Sequence, residues 1–275
     1  MNQSELVTRD QRLASQNAKW EGHRVWRCQR PDVSNLTPHL LQSDHEIHLW
    51  LVNLNQDAGR EEQLREELSC EELQRAKRLQ FDSARRRFVV RRSVLRHILA
   101  SYLSVTPGTL QFSMGADGKP SIPKHFNCFD VKFNCSHSGD LALIAVACGC
   151  EVGVDLEQHR PFPEWLDLAR RYFSKHESVQ LLKVPSGARS AAFFDCWTRK
   201  EAFVKAVGLG LSFPLNAFTV SLAADQPAAL LEVEGDPTAA NHWSMVALDL
   251  GLDYSGAVVY EGRNLNIRYF RWPGL

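Results

Sequence analysis

The feature that most constrains the fold of this chain is a pattern that repeats at an offset of 105 residues. Ser69 precedes Phe88 by 19 residues, and Ser174 precedes Phe193 by the same 19 residues. The offset also relates two further pairs of positions: 48–54 with 153–159, and Leu110 with Leu215. Each half would then contain a strand, a capped helix, a long helix, a turn and a strand. We therefore predict an α+β fold of two pseudo-symmetric halves with a ligand cleft between them; coincidence is the alternative explanation of the repeat.

This repeat divides the chain into three parts. Residues 1–44 form an N-terminal extension, residues 45–150 the first half and residues 151–275 the second half. The extension is polar, contains Pro31 and Pro38, and shows no sustained hydrophobic period. Such a segment is typical of an arm that lies on the body of a protein or is only partly ordered.

Local patterns predict the elements that would carry a site. The run EIHLWLVNL from Glu46 alternates and predicts a strand with one buried face. Basic and apolar residues within 75–96 predict an amphipathic helix. The segment VKFNCSHSGDLALIAVAC predicts two strands joined by a polar turn at 136–140, and EVGVDLE predicts another strand. The segment AAFFDCWTRKEAFVKAVG predicts a long helix that ends at Gly208 and Gly210.

Composition argues against several classes of function. The chain contains 32 Lys and Arg and 32 Asp and Glu residues, so its overall charge gives no argument for binding nucleic acid or an anionic membrane. No apolar run approaches the roughly 20 residues of a membrane helix, and the polar start lacks the apolar core of a signal peptide. We therefore expect a cytoplasmic protein with no membrane or nucleic-acid partner. Seven cysteines, with no C-x-x-C pair, predict reduced thiols.

Three carboxylates are candidates for a metal site. Asp155 and Glu157 lie two residues apart on a predicted strand, so both leave the same face. Glu201 lies on the aromatic-rich long helix, four residues before Lys205. Together the three carboxylates would form an oxygen-only set that suits Mg²⁺. The simpler explanations are solvated carboxylates at a strand end, which we favour for Asp155 and Glu157 taken alone, and a surface ion pair between Glu201 and Lys205.

Two turns have the composition of anion-contacting loops. One contains Lys119 and Pro120 after a glycine, and the other contains Ser136 and His137 before a glycine. Backbone amides, hydroxyls and an imidazole in such turns can contact phosphate, although both segments could equally be ordinary hairpin turns. Arg75 and the arginines after it add anion-binding potential, but for most of them we favour a solvated helix face.

Motifs for a nucleophile or a nucleotide loop are absent from the sequence. The chain contains no G-x-S-x-G elbow, no H-E-x-x-H, no G-x-x-x-x-G-K-S/T and no G-x-G-x-x-G. An enzyme with this sequence would use a metal ion and positioning to transfer a phosphate-linked group to a nucleophile that the substrate carries.

Three motifs in order resemble those of a known family. The segments FNCSHSG (133–139), GVDLE (153–157) and FxxxWTRKEAFVKAVGLGL (193–211) resemble the signature of the large, single-chain 4′-phosphopantetheinyl transferases of the Sfp-like type. The family pattern is a G-I/V-D-x-E strand followed some forty residues later by W-x-x-K-E-A/S-x-x-K. The resemblance covers about residues 46–220. It implies two pseudo-symmetric α+β halves with coenzyme A (CoA) in the cleft between them.

The resemblance also implies residue roles in an Mg²⁺-dependent holo-acyl-carrier-protein synthase. The implied Mg²⁺ ligands are Asp155, Glu157 and Glu201. The implied contacts of CoA, the co-substrate, are Arg75, Lys119, Pro120, Ser136, His137 and Lys205. A serine of an apo acyl or peptidyl carrier protein would lose its proton to Glu201 or to a metal-bound water and attack the β-phosphate. Adenosine 3′,5′-bisphosphate would leave, and Lys205 would stabilise the developing charge.

Two other functions compete with this one. A catalytically idle CoA-binding scaffold would share the fold, but the three carboxylates and Lys205 are all present. A nucleic-acid binding module could use the basic helix at 75–96, but the balanced charge argues against it. Because the second half supplies what a partner subunit would, we expect a monomer.

Overall fold

The described chain runs through a similar order of elements twice. The computed structural model describes residues 46–56, 58–115, 118–222 and 226–272, so the extension at 1–44 lies outside the described residues. In chain order the elements are β1 (Glu46–Asn53), α1 (Ala58–Arg65), α2 (Cys70–Lys77), α3 (Asp82–Leu103), β2 (Ser113–Met114), β3 (Pro120–Ser121), β4 (Val131–Ser138), β5 (Leu141–Cys148), β6 (Val152–Gln158), α4 (Trp165–Tyr172), α5 (Lys175–Lys183), α6 (Arg189–Val207), β7 (Phe218–Val220), β8 (Leu230–Val233), α7 (Ala239–His242), β9 (Trp243–Ala247), β10 (Tyr254–Glu261) and β11 (Asn266–Arg271).

The two halves share one topology. In each half a strand is followed by three helices, a short hairpin and two further strands; the second half adds the short helix α7 before β9. Apart from β11, the first strand of each half (β1 or β6) pairs antiparallel with the last (β5 or β10), which pairs antiparallel with the strand before it (β4 or β9). This shared order confirms the predicted α+β fold of two pseudo-symmetric halves.

The final strand crosses over to the first half. β11 pairs in parallel with β1, from Asn266 opposite Glu46 to Arg271 opposite Leu51. The first sheet therefore has the order β11-β1-β5-β4, and the second has the order β6-β10-β9. β11 covers what would otherwise be an open edge of β1, and it ties the end of the second half to the first.

Both faces of β1 are buried, and the prediction of one buried face was wrong. Ile47, Leu49 and Leu51 pack in a core between the two sheets. Trp50 and Val52 point the other way, into a core shared with α3. Alternation predicts burial of the face with Ile47, Leu49 and Leu51 alone, whereas here α3 covers the opposite face as well.

Two capping boxes begin α2 and α5, as the repeat predicts. Glu72 N donates to Ser69 Oγ at 3.2 Å, and Ser69 N donates to the Glu72 carboxylate at 2.9 Å. Ser174 and Glu177 make the same two bonds at 3.2 and 2.7 Å. Each box satisfies backbone amides that the first turn of a helix leaves unpaired, so the same local signal starts a helix in each half.

The basic stretch at 75–96 differs from the prediction of one helix with a mostly solvated face. It spans two helices, α2 and α3, which are separated by residues 78–81. Arg96 is only 2% exposed, and its Nε donates to Glu72 Oε2 at 2.8 Å. Arg92 Nε donates to the other oxygen of the same carboxylate at 2.6 Å. These arginines turn inward because the buried capping carboxylate requires charged partners.

Strand β4 extends further than the sequence indicated. A polar turn was predicted at 136–140, but β4 continues to Ser138, and the connection to β5 is limited to 139–140. Ser136 is buried, whereas the His137 side chain is partly covered and still reaches solvent, as expected for neighbours on a strand. The two side chains therefore lie on opposite sides of β4.

The two halves meet where β4 lies alongside β6. Val154 N donates to the side-chain oxygen of Asn134 at 3.0 Å, and Gln158 N donates to Ser138 Oγ at 3.1 Å. Side chains of β4 thus satisfy backbone amides of β6. The junction places the polar residues of both strands together, which makes it the natural position for a site.

The cysteines and helices of the described residues agree with the sequence analysis. The free cysteines there are Cys70, Cys128, Cys135, Cys148, Cys150 and Cys196, which confirms reduced thiols in that part of the chain; Cys28 lies outside it. Within the same ranges, every helix is too short or too polar to cross a bilayer.

Candidate active site

A close approach between β6 and α6 sets the geometry of the site. An ideal Cβ added to Gly153 would lie 2.1 Å from the carbonyl oxygen of Ala202 and 2.3 Å from the amide nitrogen of Ala206. Glycine is required where a helix backbone crosses a strand at this distance. The contact brings the neighbouring helix residues Glu201 and Lys205 towards the acidic end of the strand.

Lys205, Asp155 and Ser136 connect three elements at the junction. Lys205 Nζ donates to Asp155 Oδ1 at 2.6 Å and to Ser136 Oγ at 3.1 Å. Ser136 Oγ donates to the same Asp155 oxygen at 2.6 Å. The Asp155 side chain is 5% exposed and the Lys205 side chain 29% exposed. Burial alone would lower the pKa of Lys205, but Asp155 and Glu201 raise it above its usual value, so the lysine is charged.

These contacts correct two of the simpler explanations. A surface ion pair between Glu201 and Lys205 was considered, but Lys205 instead donates to Asp155 on β6. Asp155 is not a solvated carboxylate, because it is buried beneath the lysine. Glycine at position 153 explains the difference, since the close helix crossing covers the strand end.

Glu157 and Glu201 lie close enough to Asp155 for their charges to interact. Burial raises the pKa of Glu157, and the negative charge of Asp155 raises it further; the hydrogen bond that Ser138 Oγ donates at 2.7 Å opposes the shift. Burial also raises the pKa of Glu201, again with the charge of Asp155 adding to the effect. Negative charge that raises the pKa values of both Glu157 and Glu201 marks a site that attracts a cation.

The donor set fits a hard cation that is shared with a ligand. Asp155 Oδ2 is buried and has no hydrogen-bond partner among the described residues. In the same part of the chain, no three His, Cys, Asp or Glu side chains are grouped tightly enough to hold a metal ion by themselves. Mg²⁺ commonly takes one or two carboxylates and completes its shell with water and substrate phosphate. The residues present therefore fit an ion that binds together with a phosphate better than a cage made by protein alone.

A cluster of cations lies on the other side of β4. Arg91 Nη1 is 3.2 Å from His137 Nδ1, and the guanidinium lies over the Phe88 ring, 5.6 Å from its centre. Arg75 lies over the same ring at 5.7 Å. Burial, Arg91 and Lys205 lower the pKa of His137 to about 4, so this imidazole is neutral at pH 7.

Arg91 lies at the candidate site, and the sequence analysis did not single it out. Burial lowers its pKa, and Arg92 and Arg75 lower it further by charge repulsion. Its Nε is buried without a hydrogen-bond partner among the described residues. Helix spacing could have indicated this position of Arg91, because Arg91 and Arg87 are four residues apart and share a helix face. Arg87 pairs with Asp140, which lies just after β4. Unsatisfied positive charge of this kind is typical of an anion site.

Lys119 and Pro120 lie apart from these groups. Lys119 Nζ donates to Glu151 at 2.7 Å and to the carbonyl oxygen of Ala206 at 2.9 Å, at the beginning of β6 and the end of α6. Pro120 is the first residue of β3 and pairs with Met114. The structure thus brings Ser136, Asp155, Glu157, Glu201 and Lys205 to the junction, and it places His137 and Arg75 near Arg91 on the other side of β4. Lys119 contacts the opposite end of β6, and Pro120 is the next residue in the chain.

Comparison with known proteins identifies the family. The model of the 4′-phosphopantetheinyl transferase superfamily matches residues 151–259, and the model of the N-terminal part of 4′-phosphopantetheinyl transferases matches residues 60–149. The chain is 39% identical over 193 residues to the 4′-phosphopantetheinyl transferase HetI of Nostoc sp., which covers 70% of this chain and 81% of HetI. This chain belongs to the 4′-phosphopantetheinyl transferase superfamily.

Two other similarities extend the comparison. The 4′-phosphopantetheinyl transferase Sfp of Bacillus subtilis is 34% identical over 132 residues, covering 48% of this chain and 56% of Sfp. Among solved structures, the ACPS–CoA complex of Chronobacterium ammoniagenes is 20% identical, with a TM-score of 0.34. That match covers 42% of this chain and 99% of the other.

Proposed function

We propose that this enzyme transfers the 4′-phosphopantetheine arm of CoA to a serine of an apo acyl or peptidyl carrier protein in an Mg²⁺-dependent reaction. Adenosine 3′,5′-bisphosphate is the leaving product. One observation carries the proposal in a chain of this family: Lys205 bridges Asp155 and Ser136 at the junction of the halves, next to two further carboxylates. Cationic and anionic groups placed side by side suit a ligand that carries phosphates and a metal ion.

The cation cluster supports binding of the CoA phosphates. Arg75, Arg91 and His137 lie near one another, and the buried Nε of Arg91 has no partner among the described residues. A phosphate placed there would accept the unused donors and relieve the repulsion between the two arginines. On the junction side of β4, Ser136 and Lys205 place two further polar groups beside the carboxylates. The phosphate contacts of Lys119 and Pro120 stay predictions from the resemblance.

Asp155, Glu157 and Glu201 are the residues that would hold Mg²⁺. The unpaired Oδ2 of Asp155 and the raised pKa values of the two glutamates support this assignment, because a bound cation would favour all three ionised forms. When bound, the ion supplies Lewis-acid stabilisation of the pyrophosphate charge.

Glu201 and Lys205 are the proposed catalytic residues. A serine hydroxyl needs a proton acceptor, and the Glu201 carboxylate, beside Asp155 and Glu157 at the junction, is placed to serve as one. Lys205 Nζ uses two of its three donors on Asp155 and Ser136, so one remains for a phosphate oxygen. There it would stabilise charge on the leaving bisphosphate.

The competing functions receive less support. The joint presence of three carboxylates and a charged lysine at one junction argues against an idle scaffold. Arginines of the basic stretch contact acidic groups of the chain itself: Arg85 with Asp82, Arg87 with Asp140, and Arg92 and Arg96 with Glu72. These pairs argue against a nucleic-acid surface there. We further propose that the enzyme acts as a cytoplasmic monomer.

The test is to locate the modification on a carrier. The full chain is incubated with CoA, Mg²⁺ and an apo acyl or peptidyl carrier protein, and the products are mapped by peptide mass spectrometry. The proposal expects phosphopantetheine on one serine of the carrier, with one adenosine 3′,5′-bisphosphate released per modified serine. A carrier with that serine changed to alanine is the control. CoA binding without modification of any of several unrelated carriers would favour the idle scaffold and overturn the proposal.

A further inference from the structure

Lys119 of the first half makes a set of contacts with the second half. Its Nζ donates to Glu151 Oε2 at 2.7 Å, to the carbonyl oxygen of Ala206 at 2.9 Å and, more weakly, to the carbonyl oxygen of Val152 at 3.4 Å. The Lys119 side chain is 20% exposed and that of Glu151 37% exposed. All three donors of the ammonium group are therefore used within the protein.

The two segments that Lys119 joins are the ones that carry the site. Ala206 lies in the last turn of α6, where a helix leaves its carbonyl groups unpaired and favours a cation. It directly follows Lys205. Val152 is the first residue of β6, three residues before Asp155. The lysine therefore contacts both sides of the crossing where Gly153 lets α6 approach β6.

The backbone around Lys119 is held in place. Gly115 N donates to the Lys119 carbonyl oxygen at 2.9 Å, and Gly118 adopts a φ of +82°, which favours glycine. On the other side, a Cβ at Gly208 would lie 3.3 Å from Cδ of Lys119. The aliphatic part of the lysine thus packs against the residue that ends α6, while its charge reaches the last turn.

We propose that Lys119 is a positioning residue, which together with Glu151 clamps the end of α6 against the start of β6 and so fixes Lys205 and Glu201 relative to Asp155. The proposal rests on the proposed function of those three residues. It gives Lys119 a role that differs from the phosphate contact implied by the family resemblance. If Lys119 positions α6, its effect depends on the ion pair with Glu151. If Lys119 contacts phosphate, its effect is independent of Glu151.

Three variants separate the two roles: Lys119→Met, Glu151→Gln and the double variant. The matched control is Lys132→Met, because Lys132 is a second cation near Glu151, at 3.4 Å, and its other ion-pair partner is Asp130 rather than a residue of α6. For each protein, the kcat of carrier modification and the KM for CoA are measured, together with hydrogen exchange of the amides at 205–208. Thermal unfolding shows that each variant is folded.

The clamp predicts that each single variant lowers kcat by about fivefold through misplacement of Lys205, with the KM for CoA changed less than about twofold. The kcat of the double variant should be no lower than that of the less active single variant, because both changes break the same interaction. Faster exchange at 205–208 should accompany the loss, and Lys132→Met should behave like the unchanged protein.

A different pattern would overturn the clamp. If Lys119→Met mainly raises the KM for CoA while Glu151→Gln leaves it unchanged or lowers it, Lys119 is a phosphate contact. Unchanged hydrogen exchange in both single variants would also contradict the clamp. The exchange measurement needs no turnover, so failure of the transferase function itself would be recognised separately, as absence of modification by the unchanged chain.

Discussion

Lys205 Nζ lies 2.6 Å from Asp155 Oδ1, so the lysine pairs across the β6–α6 crossing with a residue 50 positions earlier in the chain. The glutamate one turn before it, Glu201, is thereby left available for another partner. Among the described residues, Asp155 Oδ2 also has no hydrogen-bond partner. The ion pair therefore orders the site while leaving carboxylate oxygens for the cation that we propose binds together with the phosphates of CoA.

Removing the charge of Glu201 should stop the chemistry without unfolding the protein. We expect Glu201→Gln to lower kcat by about 100-fold or more, since it removes both a proton acceptor and a proposed Mg²⁺ ligand. The KM for CoA should change far less, because the cation cluster lies on the other side of β4. Steady-state kinetics of carrier modification measure both constants. Glu232→Gln, an exposed glutamate on β8, is the control.

Arg91 should contribute to the affinity for CoA. Arg91→Ala removes a charge-assisted contact worth about 1.5–3 kcal/mol, so we expect the Kd for CoA to rise by about 10- to 100-fold. Isothermal titration calorimetry measures this directly. Lys77→Ala removes the same charge from an exposed position of α2 and should change the Kd less than about twofold. Equal effects of the two changes would mean that only overall charge matters.

Gly153 should tolerate no side chain. In Gly153→Ala the new Cβ would meet backbone atoms of Ala202 and Ala206 at 2.1 and 2.3 Å, and these cannot move without displacing α6. We expect the free energy of unfolding to fall by at least about 2 kcal/mol, as measured by urea denaturation. Gly187→Ala is the matched control, since a Cβ there meets nothing within 4 Å. A stable Gly153→Ala protein would show that the crossing is looser than described.

His137 should make stability depend on pH. Its pKa in the folded chain is about 4, against an ordinary value of 6.5, so the unfolded chain binds more protons between these values. The folded state therefore keeps its full stability above about pH 6.5 and loses some as the pH falls towards about 4. Denaturation curves at a series of pH values should show a smaller loss in His137→Gln. An unchanged pH dependence would mean that His137 titrates normally.

Local signals predicted the framework of the fold. Both capping boxes, at Ser69 and Ser174, depend on residues three positions apart, and the end of α6 depends on Gly208, whose φ is +80°. Such features are readable because sequence neighbours determine them. The burial of the second face of β1 was not readable, because Tyr102 and Phe270, 52 and 220 positions after Trp50, cover it.

The site shows the same limit. Asp155, Glu201 and Lys205 could be chosen from their motifs, and the structure brings them together. The pairing of Lys205 with Asp155 could not be read from the helix spacing that placed it beside Glu201. Partners of Lys119 were also beyond prediction, because Glu151 and Ala206 lie 32 and 87 residues away in the sequence. A buried role for Arg96 depends likewise on Glu72, 24 residues earlier.

The most direct test of the account is the intact mass of an apo carrier protein after incubation with CoA and increasing Mg²⁺. The unchanged chain and Glu201→Gln are compared, each with and without EDTA. The account predicts a gain of about 340 Da, the mass of one phosphopantetheinyl group, that requires the metal ion and is nearly lost in the variant. The same gain in EDTA, or an undiminished rate in Glu201→Gln, would contradict a metal-assisted transfer at these carboxylates.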